Sequence, residues 1–149
     1  MAKKTFKGRP LLAGKLEGKA TVSKQPFNTS GSYFDNMFAG VTDKAICTDS
    51  DNKELFQKDI TNCILCTPQT IGSSFAGATI MGVKEMGVGP NAMLFSRHID
   101  SIAAAGLIME DIWNGTRIIT IDLLGDEFLK TVNNDDPITI HKDGTVEVG

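Results

Sequence analysis

A short segment near the middle of the chain has the residue types and spacing of an anion-binding loop that carries reactive hydroxyl groups. It reads Thr-Pro-Gln-Thr-Ile-Gly-Ser-Ser-Phe-Ala-Gly from Thr67 to Gly77, and it leads from an apolar run into a helical pattern. The first backbone N–H groups of a helix have no partner within the helix, and the helix dipole favours negative charge there. We therefore expect a carboxylate or phosphate to bind here, with Gly72 and Gly77 allowing close approach of the backbone.

The serines of this segment are candidates for proton transfer. Free amides and a helix dipole that bind an anion also stabilise a deprotonated hydroxyl, which makes Ser73 a possible base or proton shuttle. A purely structural interpretation stays open: Ser73 or Ser74 caps the helix, and Gly77 lets the helix pack against the sheet.

Other catalytic motifs fit less well. The glycine is not followed by the Lys-Ser or Lys-Thr pair of a nucleotide-binding loop. A stand-alone serine hydrolase would need a histidine base, for which His98 is the nearest candidate in sequence. We interpret both histidines, His98 and His141, as surface or packing residues.

The cysteines do not predict a metal site in this chain. Cys63-x-x-Cys66 is a single pair, and no second Cys or His pair stands at ligand spacing. If residues 62–67 form a strand, side chains three apart point to opposite faces and cannot converge on one ion. We expect buried, reduced thiols, which together with Cys47 fit a cytoplasmic protein.

Composition limits the remaining functions. The chain has 149 residues, 41% hydrophobic and 22% charged, which predicts one globular domain over residues 1–149. A net charge of −3 gives no general attraction to nucleic acid or to an anionic membrane. No apolar stretch is long enough for a membrane span.

The elements around the serine loop alternate between strand and helix. An apolar run from Asn62 to Thr67 predicts a central strand, and apolar residues from Phe75 to Met86 recur at helical spacing. Ala92 to Ser96 is again typical of a strand. Asp100 is placed to cap a second helix that ends at Gly115.

The two ends of the chain are rich in strand patterns. Strands are expected at residues 5–9, 19–23, 117–122, 137–142 and 145–148, with turns at residues 11–14, 17–18 and 143–144 and an irregular loop at residues 28–40. The whole predicts an α/β domain, built as a β/β/α sandwich or partly closed barrel with both termini in one sheet region.

Five stretches carry a family likeness. They are Lys7 to Arg9 with Leu12 to Ala20, Ser23 to Phe27, Thr70 to Gly77, Asp100 to Gly106, and Asp143 to Val148. Together they resemble the aconitase X swivel family, the small subunits of cis-3-hydroxyproline and phosphomevalonate dehydratases. The likeness implies a swivelling domain similar to the carboxyl-terminal swivel domain of aconitases.

The likeness also implies roles for the serine loop. In aconitases the first serine of a similar loop removes the substrate proton, and by position that residue is Ser73. We expect the substrate to contact Gly72, Ser74, Phe75 and Gly77, with the amides of residues 73–75 binding its anionic group. Two features depart from the pattern: Phe75 stands where aconitases have arginine, and Gly31 to Asp35 differs from the usual Gly-Gly-Val-Asp.

A partner follows from the same likeness. A large subunit would hold iron or an iron–sulfur cluster through its own cysteines, and the active site would close between the two proteins. We expect this chain alone to be inactive. The favoured reaction is loss of water from cis-3-hydroxy-L-proline, and the alternatives are phosphomevalonate dehydration and a non-catalytic swivelling interaction module. A phosphohistidine-type carrier is disfavoured because residues 68–78 contain no histidine.

Overall fold

The computed structural model describes residues 2–149, which form ten strands and five α-helices. The strands are β1 (Lys4–Lys7), β2 (Arg9–Leu12), β3 (Leu16–Val22), β4 (Phe27–Asn28), β5 (Ile64–Thr67), β6 (Thr70–Ile71), β7 (Ala92–Phe95), β8 (Ile119–Asp122), β9 (Pro137–Ile140) and β10 (Thr145–Val148). The helices are α1 (Thr29–Ser32), α2 (Phe34–Phe38), α3 (Ala76–Glu85), α4 (Ser101–Met109) and α5 (Asp126–Thr131). None of the helices in the described part of the chain has the length and apolar character needed to cross a membrane.

Eight of the strands form one curled sheet in the order β1-β10-β9-β3-β5-β7-β8-β2. The two edge strands, β1 and β2, are consecutive in the chain and are separated only by Gly8, so the two edges must lie close together. The Gly8 N–H donates to the Gly144 carbonyl oxygen at 3.0 Å. A Cβ at Gly8 would lie 2.5 Å from the Asp122 carbonyl oxygen on the other side. The prediction of a partly closed barrel is therefore confirmed.

Four neighbouring strands, β3, β5, β7 and β8, are parallel. Every residue of β5 is buried, as the apolar run at this position predicts for a strand covered on both faces. Because the four strands run the same way, their carboxyl ends and the loops that follow them lie at one edge of the sheet. This edge includes the loop that contains Ser73.

The sheet separates two hydrophobic cores. One core contains Leu65 of β5 and lies under α3 and α4, with Ile80 and Leu107 among its buried side chains. The other contains Ile64 and Cys66 and is closed by α5 and the terminal hairpin. Successive residues of β5 therefore enter different cores, as the two-residue period of a strand requires.

Helices α3 and α4 begin and end largely where the sequence predicts. Asp100 caps α4, because its Oδ2 accepts a hydrogen bond from the Ala103 N–H at 3.1 Å. The helix continues as a π-helical turn, Glu110–Asn114, and ends at Gly115 with φ 72°. The axes of α3 and α4 approach closely, since a Cβ at Gly106 would lie 2.6 Å from the Gly77 Cα.

Two predicted turns and one predicted strand are wrong in detail. Residues 11 and 12 belong to β2, and residues 17 and 18 lie within β3. Gly18 is a packing glycine, because a Cβ there would lie 2.8 Å from the Ile64 Cδ1. The single strand expected at residues 5–9 is divided at Gly8 into β1 and β2, which pair with different partners.

The segment expected to be an irregular loop at residues 28–40 instead forms α1 and α2. Its anchor is Tyr33, which is buried, whereas Phe34 and Phe38 are exposed. Helices of four and five residues are too short to give a helical period in the sequence. The same reason accounts for α5, which the sequence did not predict.

Candidate functional site

The Ser73 loop is held at the carboxyl edge of the sheet by a second, two-stranded sheet. After β5 ends at Thr67, β6 pairs in parallel with β4, placing Thr70 opposite Phe27 and Ile71 opposite Asn28. The Phe27 N–H also donates to the Gln69 carbonyl oxygen at 2.9 Å. The serine loop and the chain after β4 are therefore joined by backbone hydrogen bonds.

The loop is also tied to α4. The Thr70 hydroxyl donates to Asp100 Oδ1, while the other oxygen of the same carboxylate caps α4. A single half-buried carboxylate thus connects the strand before the loop with the helix that packs on α3. This connection fixes the loop relative to both helices.

The Ser73 hydroxyl is exposed and accepts a hydrogen bond from the Phe75 N–H at 3.0 Å. Helix α3 starts at Ala76 with Phe75 in the N-cap position, but Ser73 caps the turn that leads into it, since its carbonyl oxygen also accepts from the Ala76 N–H at 3.0 Å. The structural interpretation of Ser73 as a cap therefore stays open beside the catalytic one. The Phe75 amide, which we expected to be free for substrate, is occupied by the Ser73 hydroxyl in this arrangement. An N–H donated to a hydroxyl oxygen stabilises its deprotonated form, which is the property that a serine base needs.

Two glycines predicted to contact substrate have packing constraints of their own. Gly72 has φ 105°, and a Cβ there would lie 2.5 Å from the Asn28 Oδ1, so both its conformation and its neighbour require glycine. Gly77 faces α4, where a Cβ would lie 3.2 Å from the Ile102 carbonyl oxygen. Its contact is with a helix, not with the sheet as the structural interpretation supposed. Whether substrate reaches Gly72, Ser74, Phe75 or Gly77 stays a prediction.

Ser73 lies at the wall of an open depression of about 390 Å³. The depression is lined by Asn28, Ser30, Gly31, Phe34, Phe38, Ser73 and Phe75. Its walls come from α1, α2 and the loop before α3, which β4 and β6 bring together. The volume falls in the range of small-molecule sites, and the opening leaves room for a second protein to cover it.

One rim of the depression is apolar. Phe34, Phe38 and Phe75 are 53%, 59% and 44% exposed. Their rings form a row, with centroids 5.0 Å apart for Phe34 and Phe38 and 6.1 Å apart for Phe38 and Phe75. Contiguous exposed aromatic side chains of this kind mark surfaces that bind a partner or a ligand.

None of the seven lining residues carries a charge. The Thr79 hydroxyl donates its proton to the Phe75 carbonyl oxygen at 3.2 Å. In the 3.1 Å contact between Ser30 Oγ and Thr79 Oγ1, Ser30 is therefore the donor. The Ser30 proton is thus engaged with Thr79, and the polar side chains that line the depression are the hydroxyls of Ser30 and Ser73 and the carboxamide of Asn28.

His98 is not joined to Ser73. Its Nδ1 lies 2.6 Å from the Ile99 carbonyl oxygen and its Nε2 lies 3.3 Å from the Arg9 guanidinium, so both ring nitrogens already have partners. Arg9 is in turn held by two hydrogen bonds, of 2.9 and 2.7 Å, to the buried carboxylate of Asp122. This arrangement does not support a serine hydrolase with His98 as base. His141 pairs with Glu147 at 2.8 Å on the terminal hairpin.

The cysteines are buried and diverge. Cys63 belongs to the core under α3 and α4, and Cys66 belongs to the other core. Burial raises the pKa of the Cys63 thiol to about 12 and also raises the pKa of Cys66. Within residues 2–149 no three His, Cys, Asp or Glu side chains group as metal ligands. The expected opposite orientation of the two thiols is confirmed.

A larger depression, of about 540 Å³, lies against the terminal hairpin. Two of its charged side chains are paired: His141 with Glu147 at 2.8 Å, and Asp143 with Lys7, which lies outside the lining, at 3.2 Å. Lys15 and Lys142 also line it, and neither forms an ion pair within residues 2–149. Exposed pairs of this type are common on protein surfaces. The depression at Ser73 is the better candidate because it contains an exposed hydroxyl that accepts a backbone N–H, at the edge where parallel strands end.

The sequence did not indicate Asn28, Phe34 and Phe38 as parts of this site. Forty-five residues separate Asn28 from Ser73, and only the pairing of the two-residue strands β4 and β6 brings them together. The Asn-Thr-Ser-Gly run at residues 28–31 is the one available signal, because asparagine is a favoured N-cap.

Comparison with known proteins agrees with this architecture. The crystal structure of Thermococcus kodakaraensis aconitase X (holo-form) superposes with a TM-score of 0.80 and 24% identity, covering 98% of both chains. The phosphomevalonate dehydratase small subunit of Thermococcus kodakarensis is 30% identical over 108 residues, or 72% of this chain and 74% of that protein. The protein of the same name from Aeropyrum pernix is 28% identical over 144 residues, or 96% and 92% of the two chains.

These relatives are named for phosphomevalonate, the alternative substrate, and cis-3-hydroxyproline does not occur in their names. The family model described as the aconitase X swivel domain matches residues 5–148, which is nearly the whole chain. The chain therefore belongs to the aconitase X swivel domain family.

Proposed function

We propose that this chain is the small subunit of an aconitase X type dehydratase and that Ser73 is the base of an active site completed by a large subunit. The observation that carries the proposal is the exposed Ser73 hydroxyl, which accepts an amide hydrogen bond at the wall of an open depression. The names of the relatives support the dehydratase assignment and the existence of a larger partner.

The reaction removes a proton and a hydroxide from neighbouring carbons. Ser73 takes the proton from the carbon beside the substrate carboxylate, the electrons of that C–H bond form the double bond, and the C–O bond breaks to release hydroxide. The hydrogen bond from the Phe75 N–H stabilises the Ser73 oxygen in its deprotonated form before it takes the proton.

The residues that the structure describes offer no set of ligands that fits the iron or iron–sulfur centre implied by the family resemblance. The thiols of the chain are buried in two different cores, and its described residues group no three metal-ligating side chains. We therefore assign the centre to the large subunit, and we derive no step through it. The contribution of this chain is the base and the surface around it.

The aromatic row at Phe34, Phe38 and Phe75 is the surface that we assign to the large subunit. It borders the depression on one side, so a protein that binds the row also closes the site. Closure excludes water from the reacting groups and strengthens the electrostatic interactions inside. An unpartnered chain lacks this closure, and we therefore expect it to be inactive.

Phosphomevalonate is the substrate that we propose first, because the relatives are named for it. Its phosphate would have to bind cations of the large subunit, since no lysine or arginine is among the residues that line the depression. The lack of lysine and arginine in the lining favours cis-3-hydroxy-L-proline as a second candidate, because its single carboxylate needs fewer positive charges.

The test is to produce the chain together with its large subunit and to follow dehydration of both compounds by NMR. The proposal predicts that the complex dehydrates one of them and that each subunit alone is inactive. Dehydration of neither compound by an assembled complex that retains its metal centre would contradict the proposal. Ester hydrolysis by the isolated chain would instead support the serine hydrolase alternative.

A further inference from the structure

We infer that Asn28 binds the substrate beside Ser73, by donating a hydrogen bond from its Nδ2 to an anionic oxygen. This inference rests on the proposed function and adds to it a residue that positions the substrate. The orientation of the Asn28 carboxamide, its place in the depression and the lack of charge there support this role.

The orientation of the carboxamide follows from its hydrogen bond. Asn28 Oδ1 accepts from the Gly31 N–H at 3.0 Å, and a backbone N–H can donate only to the oxygen of an amide side chain. The NH2 group therefore occupies the other position. Among residues 2–149, no group accepts a hydrogen bond from it, and the side chain is half-buried at the wall of the depression.

The carboxamide packs directly on the residue before Ser73. A Cβ at Gly72 would lie 2.5 Å from Asn28 Oδ1, 2.9 Å from its Cγ and 3.2 Å from its Nδ2. The pairing of Asn28 with Ile71 in the small sheet fixes this contact through the backbone. Asn28 and Ser73 are thus held by one rigid connection and face the same space.

The chemistry of the depression leaves a specific task for this group. Asn28 is the one lining residue with a side-chain N–H donor, and no lining residue is charged. A substrate whose proton is removed beside a carboxylate needs that carboxylate to be held. A neutral, pre-oriented amide donor fulfils this need without attracting the Ser73 oxygen as strongly as a cation would.

Two substitutions separate this role from helix capping. Asparagine, aspartate and serine all cap helices, so Asn28→Asp and Asn28→Ser keep the cap on α1 and remove the amide donor. For the assembled complex we expect both variants to raise KM about 10- to 100-fold, with a smaller change in kcat and an unchanged Tm. Asn133→Asp, which adds the same charge at an exposed position outside the depression, serves as control.

Each outcome is decisive. An unchanged KM in Asn28→Ser would overturn the inference. This holds even if Asn28→Asp weakens binding, because an effect of aspartate alone would report only charge repulsion. A fall in Tm that accompanies the change in KM would also overturn it in favour of a capping role. Failure of the wild-type complex to dehydrate any substrate would contradict the proposed function instead, so the two failures are distinguishable.

Discussion

Two kinds of reactive group lie at strand β5 or close to it: the thiols of Cys63, directly before the strand, and of Cys66, within it, and the hydroxyl of Ser73, in the loop after it. The thiols are intrinsically the better nucleophiles, but they are buried in separate cores, and burial raises their pKa. Ser73 follows the strand, is exposed and accepts an amide hydrogen bond.

In this domain the end of the strand, more than the residue type, determines where a reactive side chain is accessible. Within a strand the backbone groups are paired and the side chains enter the cores. Beyond its carboxyl end the chain of residues 68–75 turns at Gly72 and presents a side chain and an amide to solvent.

A large effect on assembly is expected at the aromatic row beside the loop. Phe38→Asp places a charge in the surface assigned to the large subunit, and we expect the Kd of the complex to rise about 30-fold or more. The matched control is Phe56→Asp, because Phe56 is also exposed but does not line the depression. Binding can be measured by titration calorimetry with the large subunit. Equal loss of affinity in both variants would contradict the assignment.

A smaller effect is expected from the turn that directs the loop out of the sheet. Gly72 has a positive φ, and a Cβ at this position would also lie too close to Asn28. Gly87 has a positive φ of 82°, but a Cβ there would have no neighbouring atom within 4 Å, so Gly87→Ala is the control. We expect Gly72→Ala to lower the free energy of unfolding by about 1–3 kcal/mol more than Gly87→Ala. Urea denaturation of the two variants measures this difference. Equal values would show that Asn28 does not constrain the turn.

The smallest effect on activity is expected in the strand itself. Cys66→Ala should leave kcat and KM of the complex unchanged and should lower stability by about 1 kcal/mol. A large loss of turnover in this variant, with assembly intact, would give the buried strand a role that the contrast excludes.

The thiols also predict a pH dependence of labelling. With the pKa of Cys63 raised to about 12, its thiolate fraction at pH 8 is about one in ten thousand, and it increases as pH rises. Native protein should therefore react slowly with iodoacetamide between pH 7 and 9, and protein unfolded in urea should react fast. Mass spectrometry after timed quenching distinguishes the two. Rapid labelling of Cys63 in the native state would contradict its burial.

The sequence was sufficient for elements with strong local signals. The apolar run of β5, the capping Asp100 and the Asp143-Gly144 turn each predict structure from neighbouring residues alone, and all three are present. The position of Ser73 between a strand and a helix followed from the same signals.

The remaining features depend on contacts between distant parts of the chain. The pairing of β1 with β10 and the division at Gly8 close the sheet, and neither produces a local pattern. Gly18 was predicted to lie in a turn because the sequence does not distinguish a glycine required for close packing from one required for a turn. Asn28 is brought to the site only by the pairing of β4 with β6. These strands have two residues each and are too short to give an alternating pattern in the sequence.

The most direct test of the account compares Ser73→Ala with Ser74→Ala in the assembled complex. Both serines are exposed in the same loop, but only Ser73 accepts the Phe75 N–H. Because Ser73→Ala removes the general base, we expect its kcat to fall about 10²- to 10⁴-fold with folding and assembly unchanged. The Ser74 variant keeps its backbone amide, and we expect its kcat to stay within about tenfold of the wild type. Near-normal turnover by the Ser73→Ala complex would contradict the assignment of Ser73 as the base.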